Sequence, residues 1–203
     1  YEVFMQQRKK QPLVTRQLIL AAAGAEFSDH GYSGAGLGPI VVRAGLTKGA
    51  LFHHFPDKRA LALAWAAGDL TDGIRELWIK PLAGLDSLDA FRIFCRMRCL
   101  ELHPGDATSS LVSLAAETTA AEPLLGAAFQ EILATWQDAF AVLLERGKSA
   151  GWIHHSIQPA VEAALLVSAF SGLSVTTKCN PDEGFRRLCA SGLEGYLETL
   201  RPQ

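Results

Sequence analysis

Between Leu37 and Lys58 the chain reads LGPIVVRAGLTKGALFHHFPDK, and the chemistry on offer there is anion binding. Thr47 and Lys48 open a short helix spanning roughly Lys48–Phe55. Free backbone N–H groups and the helix dipole at that end favour a phosphate, and the Lys48 ammonium reaches phosphate or a guanine edge. Gly49 omits a side chain where backbone and polyanion must come close. Ala50, Leu51 and Phe55 turn inward, which leaves Phe52 and His53 on the outward face. Upstream, Ile40, Val41 and Ala44 are apolar at helical spacing, Gly45 breaks that helix, Leu46 fills the corner and Thr47 caps the next helix. A helix, a tight glycine turn and a second helix is the arrangement that presents one helix to a DNA major groove. Lys58 lies just beyond it. Arg43, Thr15, Arg16 and the Arg8–Lys10 cluster are placed for further phosphate contacts, which set affinity and register while base-edge contacts set sequence.

The elements that hold these residues read almost wholly at a 3.6 period, so the fold class is all-α with about nine helices. The first runs from about Leu13 to His30 and stops at Gly31, and the second and third carry the motif. Pro56-Asp57 starts a fourth, expected to end before Pro81. Asp86 or Ser87 caps a fifth, which ends near His103, and Asp106 or Thr108 begins a sixth reaching about Thr119. Glu122-Pro123 opens the longest helix, with Leu125, Phe129, Ile132, Trp136, Phe140 and Leu143 down one face. Pro159 starts the eighth, and Asn180 caps the ninth with Pro181 at its first position. The division expected is a three-helix head over residues 1–57 and a helical body over 58–203.

Charge supports that division. Residues 1–60 hold eight Lys and Arg against four acids, and the remainder holds 11 against 17, within an overall balance of −2. A basic head suits a polyanion and an acidic body suits something else. No apolar run is read as a membrane span, and the basic, apolar N-terminus departs from a secretory signal because its helical pattern continues to Phe27. The four cysteines, Cys95, Cys99, Cys179 and Cys189, show no C-x-x-C spacing and read as free thiols of a cytoplasmic protein. Cys95, Cys99 and His103, spaced four and four on one helix, leave a thiol or metal sensor open, although no fourth ligand is identifiable. There is no Gly-rich phosphate loop after a strand, no H-E-x-x-H and no clear nucleophile–base pair. The expectation is therefore no enzyme, catalytic residue, cofactor or metal, with an all-α small-molecule enzyme as the alternative.

The head resembles the TetR family of bacterial transcriptional regulators. The resemblance is carried by Thr15-Arg16, Ile19-Leu20, Ala22-Ala23, Phe27, Gly31-Tyr32, Ile40, the run Ala44–Phe55 and Lys58, about 50 residues almost continuously. It implies a homodimer that binds a near-palindromic double-stranded DNA operator and is released by a small-molecule effector. The chain departs from the family pattern at Ala35 and Gly36, where hydroxyls are usual, at Pro39 in place of an acid, and at Phe52 in place of Tyr. Gly36 still serves as a cap, at a cost of a few tenths of a kcal/mol against Ser. These changes weaken backbone contacts without abolishing the docking surface. Ser113–Glu117 is similar to the sixth-helix signature of a branch that often carries a reactive cysteine just upstream, where this chain has Thr108, Ser109 and Ser110.

In the body, the eighth helix is apolar nearly all round and rich in small residues. Ala164, Ser168, Ser171 and Gly172 there, with Leu193, Tyr196 and Leu197 on the ninth, make a pairing surface, and the resemblance implies a four-helix interface from two such pairs. The effector cavity is expected between the fourth and eighth helices, lined by Trp65, Phe91, Cys95, Cys99, Trp136, Phe140 and Phe170, with Arg92, Arg96, Arg98 or Glu117 as an orienting charge.

Overall fold

The computed structural model describes residues 2–202, with side chains from Pro12 onward, so the Arg8–Lys10 side chains lie outside the described residues. Among the described residues there are nine helices and no strand. The helices are α1 (Glu2–Gly34), α2 (Leu37–Ala44), α3 (Lys48–His54), α4 (residues 58–84), α5 (Leu88–Glu101), α6 (Ala107–Thr118), α7 (Pro123–Ala150), α8 (Pro159–Cys179) and α9 (Glu183–Glu198). α1 begins well before Leu13 and holds Pro12 within it, which makes it longer than α7. Its helical geometry breaks at Gly31, where φ is 72° and ψ is 176°.

Capping explains most boundaries. Gly45 adopts the left-handed conformation with φ 66° and lets Leu46 N–H reach back to Val41 O at 3.1 Å, which closes α2. Thr47 then accepts from Ala50 N–H at 3.2 Å and opens α3. Asp57, Ser87 and Asp106 do the same for α4, α5 and α6. Two boundaries differ from expectation. Asp182, rather than Asn180, caps α9 through Phe185 N–H at 3.1 Å, because Pro181 lies outside the helix. Pro81 does not end α4, which continues to Gly84 through wide π turns at Ala66–Leu70 and Arg75–Ile79. A proline lacks the N–H of the regular ladder, and a π turn immediately upstream re-spaces the carbonyls it would otherwise clash with.

The chain divides into two compact units, Tyr1–Thr71 with Leu114–Phe129, and Asp72–Ser113 with Gln130–Gln203. The first takes in residues 58–71 and 114–129 together with the expected head. Its core is Ile19, Ala23, Phe27, Ile40, Leu51, Phe55, Leu61 and Trp65, all buried. The second unit is centred on Trp78, whose ring lies 4.8 Å from Trp136, 4.5 Å from Phe170 and 5.9 Å from Phe140. Aromatic rings at these separations contribute beyond the area they bury. Arg146 donates to the carbonyls of Leu82, Ala83 and Leu85 and so closes the end of α4. Contrary to expectation, α8 is long and apolar enough to cross a bilayer by length and composition. Within the second unit it buries Ala163, Leu166, Val167, Phe170 and Leu173, which is what a core helix does.

Candidate nucleic-acid interface

On α3 the inward side chains are Leu51 and, at the cap, Phe55, which are 1% and 3% exposed. Lys48, Gly49, Phe52 and His53 are all exposed, as is Thr47. Positions 48 and 52, and 49 and 53, each stand one turn apart, so the four make one continuous outward face headed by the free N–H groups of the helix start. A Cβ added at Gly49 would meet nothing closer than Thr47 Oγ1 at 3.9 Å, so no packing within the chain requires glycine there. Arg16 lies with its guanidinium 5.4 Å from the Phe55 ring centre and remains exposed beside that face. Thr15 is half-buried on α1.

Two residues predicted to contact phosphate, Arg43 and Lys58, have partners within the fold. Arg43 pairs with Asp29 at 2.9 Å and Glu26 at 3.7 Å, which ties α2 to α1 while its side chain stays 42% exposed. Lys58 Nζ donates to Tyr32 O, Ser33 O and Ala35 O at 2.8, 3.3 and 3.0 Å. It satisfies the carbonyls left over at the end of α1, so its ammonium is engaged by the fold rather than offered to DNA.

The turn that Lys58 closes is also held from its N–H side. Glu117 on α6 accepts from Tyr32 N–H at 2.8 Å and Ser33 N–H at 2.7 Å. Burial works against its ionisation, but the Ser33 and Tyr32 donors and the Lys58 charge prevail and hold its carboxyl below the ordinary value. Gly31 is required there, because a Cβ would stand 2.6 Å from Glu117 Oε2 and the backbone φ is +72°. Tyr32 donates to Glu122 at 3.4 Å, and Arg59 lies 3.9 Å from the same carboxylate. Burial first and Glu122 second raise the Tyr32 phenol above its usual range. Glu117 is thus the clamp of this joint, not an orienting charge in a cavity. Sequence reasoning missed it, since its partners lie more than 80 residues away.

The predicted effector set divides. Trp65 belongs to the first unit, packed on Phe27 at 5.6 Å between ring centres. Phe91, Cys95, Trp136, Phe140 and Phe170 are buried together in the second unit, with Cys99 also buried. Burial raises the Cys95 thiol well above its usual range. Trp136 Nε1 and Ser109 Oγ are buried in this unit without a hydrogen-bond partner, and neighbouring Thr108 Oγ1 accepts from Trp78 Nε1 at 2.9 Å. Arg92, Arg96 and Arg98 pair at the surface with Glu198, Glu194 and Glu101. His103 is exposed with Nδ1 3.5 Å from Asp106, and the described residues contain no group of three or more His, Cys, Asp or Glu able to hold a metal. The Cys95, Cys99 and His103 set therefore does not assemble. Of the predicted pairing residues, Ala164, Ser168 and Gly172 are exposed and Ser171, Leu193 and Tyr196 half-buried, whereas Leu197 is fully buried in its own unit. Positions 193 and 197 are one turn apart but about 40° apart around the helix, and that rotation carries Leu197 into the core while Leu193 stays at its margin.

Residues 19–65 match the sequence profile described as bacterial regulatory proteins, tetR family. The chain is 29% identical over 167 residues to the A-factor receptor protein of Streptomyces griseus, across 82% of this chain and 56% of that protein. It is 45% identical over 58 residues to the HTH-type transcriptional repressor AcnR of Corynebacterium efficiens, across 29% of this chain and 31% of that one. The chain thus spans about half the length of the first relative and under a third of the second. The crystal structure of a TetR transcriptional regulator from Chloroflexus aurantiacus superposes with a TM-score of 0.81 at 23% identity, covering 95% of this chain and 98% of that chain. At that identity the likeness is one of fold.

Proposed function

The chain belongs to the TetR family of bacterial regulatory proteins, and from that membership we propose that it is a transcriptional repressor. In this reading residues 1–57 dock on double-stranded DNA as a homodimer, and residues 58–203 bind a small-molecule effector that releases it. The observation that carries the proposal is the outward face of α3, where Thr47, Lys48, Gly49, Phe52 and His53 are exposed together at a helix N-terminus. Lys48 and the helix-start N–H groups take phosphate or a guanine edge, Phe52 lies against the sugar–phosphate chain, and Arg16 with Thr15 extends the contact from α1. Lys58 braces that surface through the end of α1, and Arg43 does so from α2.

Pairing through α8 and α9 is supported by the exposed small residues Ala164, Ser168 and Gly172, set among exposed Val161, Leu165, Val175 and Leu188. Two copies related by a twofold axis read two half-sites. Effector binding in the second unit is supported by the unpartnered Trp136 Nε1 and Ser109 Oγ, since a ligand bearing an acceptor oxygen supplies what the core leaves unmade. The effector must favour the released state, and DNA and effector must weaken each other's binding equally.

Fluorescence anisotropy with DNA taken from upstream of the chain's own gene tests the reading. Sequence-selective binding that weakens as salt rises, by a particle of dimeric mass, is expected. Absence of binding at low salt would exclude a DNA-docking role.

A further inference from the structure

Among the described residues Glu26 is the only charged residue that is buried, at 3% exposure. It lies on α1 beside the buried Ala22, Ala23 and Phe27, where a carboxylate loses its water and needs partners in its place. Its Oε1 accepts from Gly36 N–H at 3.4 Å, at the start of α2, and lies 3.6 Å from His30 Nδ1. Its Oε2 faces Arg43 Nη2 at 3.7 Å, in the last turn of α2. Asp29 accepts from the same nitrogen at 2.9 Å. The two acids differ in one respect. The Asp29 side chain is 52% exposed and regains water if Arg43 leaves, whereas the Glu26 side chain is 4% exposed and does not.

We propose that Glu26 is a positioning residue that holds Arg43 back from phosphate and so sets how tightly the head docks. The inference rests on the DNA-docking reading above. Arg43 stands four residues before Thr47, where the outward face of α3 begins, and its side chain is 42% exposed. A phosphate that draws Arg43 away leaves the Glu26 carboxylate buried without its cation. Stranding a buried charge costs far more than breaking a surface pair. DNA therefore gains little from Arg43 in the native chain. Without the Glu26 charge that cost disappears, and Arg43 is tied only to exposed Asp29, from which a phosphate takes it readily.

The test is Glu26→Gln, which keeps the length of the side chain and an acceptor for Gly36 N–H but carries no charge. Affinity is read by fluorescence anisotropy on the upstream DNA, wild type first. Failure of the docking reading appears in the wild type, and failure of this inference only in the variants. Glu26→Gln should bind more tightly, and its slope of log affinity against log salt should steepen by about 0.9, one added phosphate contact. Its advantage over wild type should then grow about threefold from about 200 to about 50 mM salt. A merely structural loss cannot raise affinity. In an Arg43→Gln background the same change should gain nothing, which ties the effect to Arg43. If Glu26→Gln fails to fold by circular dichroism, Glu26→Met replaces it, since an apolar side chain of similar size suits a buried site. If neither folds, Arg43→Gln alone decides: a slope equal to wild type supports the proposal, and one shallower by about 0.9 overturns it. Equal or weaker binding by a folded Glu26 variant, or a gain that persists without Arg43, also overturns it.

Discussion

Lys48 and Lys58 stand ten residues apart, each at the first position of a helix, and the sequence offers both equally to an anion. Lys48 is exposed at the head of α3. Lys58 places its ammonium among three carbonyls at the end of α1. The difference arises from the preceding turn. Gly31 breaks α1 so that residues 31–35 fold back over the start of α4, and their carbonyls need a donor. A cation beside a helix start binds phosphate only where the fold has no carbonyls to satisfy first.

The strongest way to break this contrast is at Gly31. Its backbone conformation is essentially confined to glycine, and a Cβ there displaces Glu117 from two N–H donors. Gly31→Ala should lose about 3 kcal/mol, the sum of backbone strain and lost charged hydrogen bonds. Denaturant unfolding measures it, and a loss below a few tenths would mean that the turn tolerates rearrangement. Lys58→Met comes next. It keeps the aliphatic stem but orphans three carbonyls, so about 2 kcal/mol should go. If the remaining protein still folds, the salt dependence of its DNA binding should match the wild type, whereas a shallower slope would return Lys58 to the DNA.

Lys48→Ala sharpens the other side. An exposed residue without structural duties should change stability by no more than about 0.5 kcal/mol. DNA affinity should fall, and the slope of log affinity against log salt should shrink by about 1 for one lost phosphate contact. Gly49→Ala is a useful companion, because a Cβ there meets nothing closer than Thr47 Oγ1 at 3.9 Å. It should raise stability by up to about 1 kcal/mol through helix propensity while weakening DNA binding. A stabilised variant with unaltered affinity would show that nothing approaches α3 closely there.

Legibility in the sequence tracks the range of each interaction. Thr47, Ser87 and Asp106 cap helices through donors three residues on, so residue type and spacing suffice to find them. The exposed face of α3 is found from its period in the same way. Asp182 escaped because two neighbouring residues, Asn180 and Asp182, are both good caps and only the chain's path chooses between them. Pro81 escaped because π turns are a local answer to strain with no residue signature of their own. Glu117 and Arg146 depend on partners 60 or more residues away, and nothing near them in sequence announces those partners. The same holds for Trp65, which periodicity assigns to a buried face without saying which core it joins.

The smallest effect concerns the clamp's charge. In the folded chain the Glu117 carboxyl sits below its ordinary value, because the donors of Ser33 and Tyr32 and the Lys58 charge outweigh burial. A depressed carboxyl stabilises the folded state fully above its unfolded value, about 4.3 for glutamate, and the contribution is lost as pH falls through the folded value. Thermal melts from pH 7 downward should therefore show wild type and Glu117→Gln separated by a constant interval until about pH 4, then converging. Glutamine keeps one acceptor oxygen but no charge, so the two N–H bonds are weakened rather than removed. The interval itself should be small, since Glu117 is exposed and water screens its pairing with Lys58. If the curves stay parallel below that pH, the turn is held by geometry alone, and the carboxylate's charge has no part in keeping Lys58 away from the DNA-facing side.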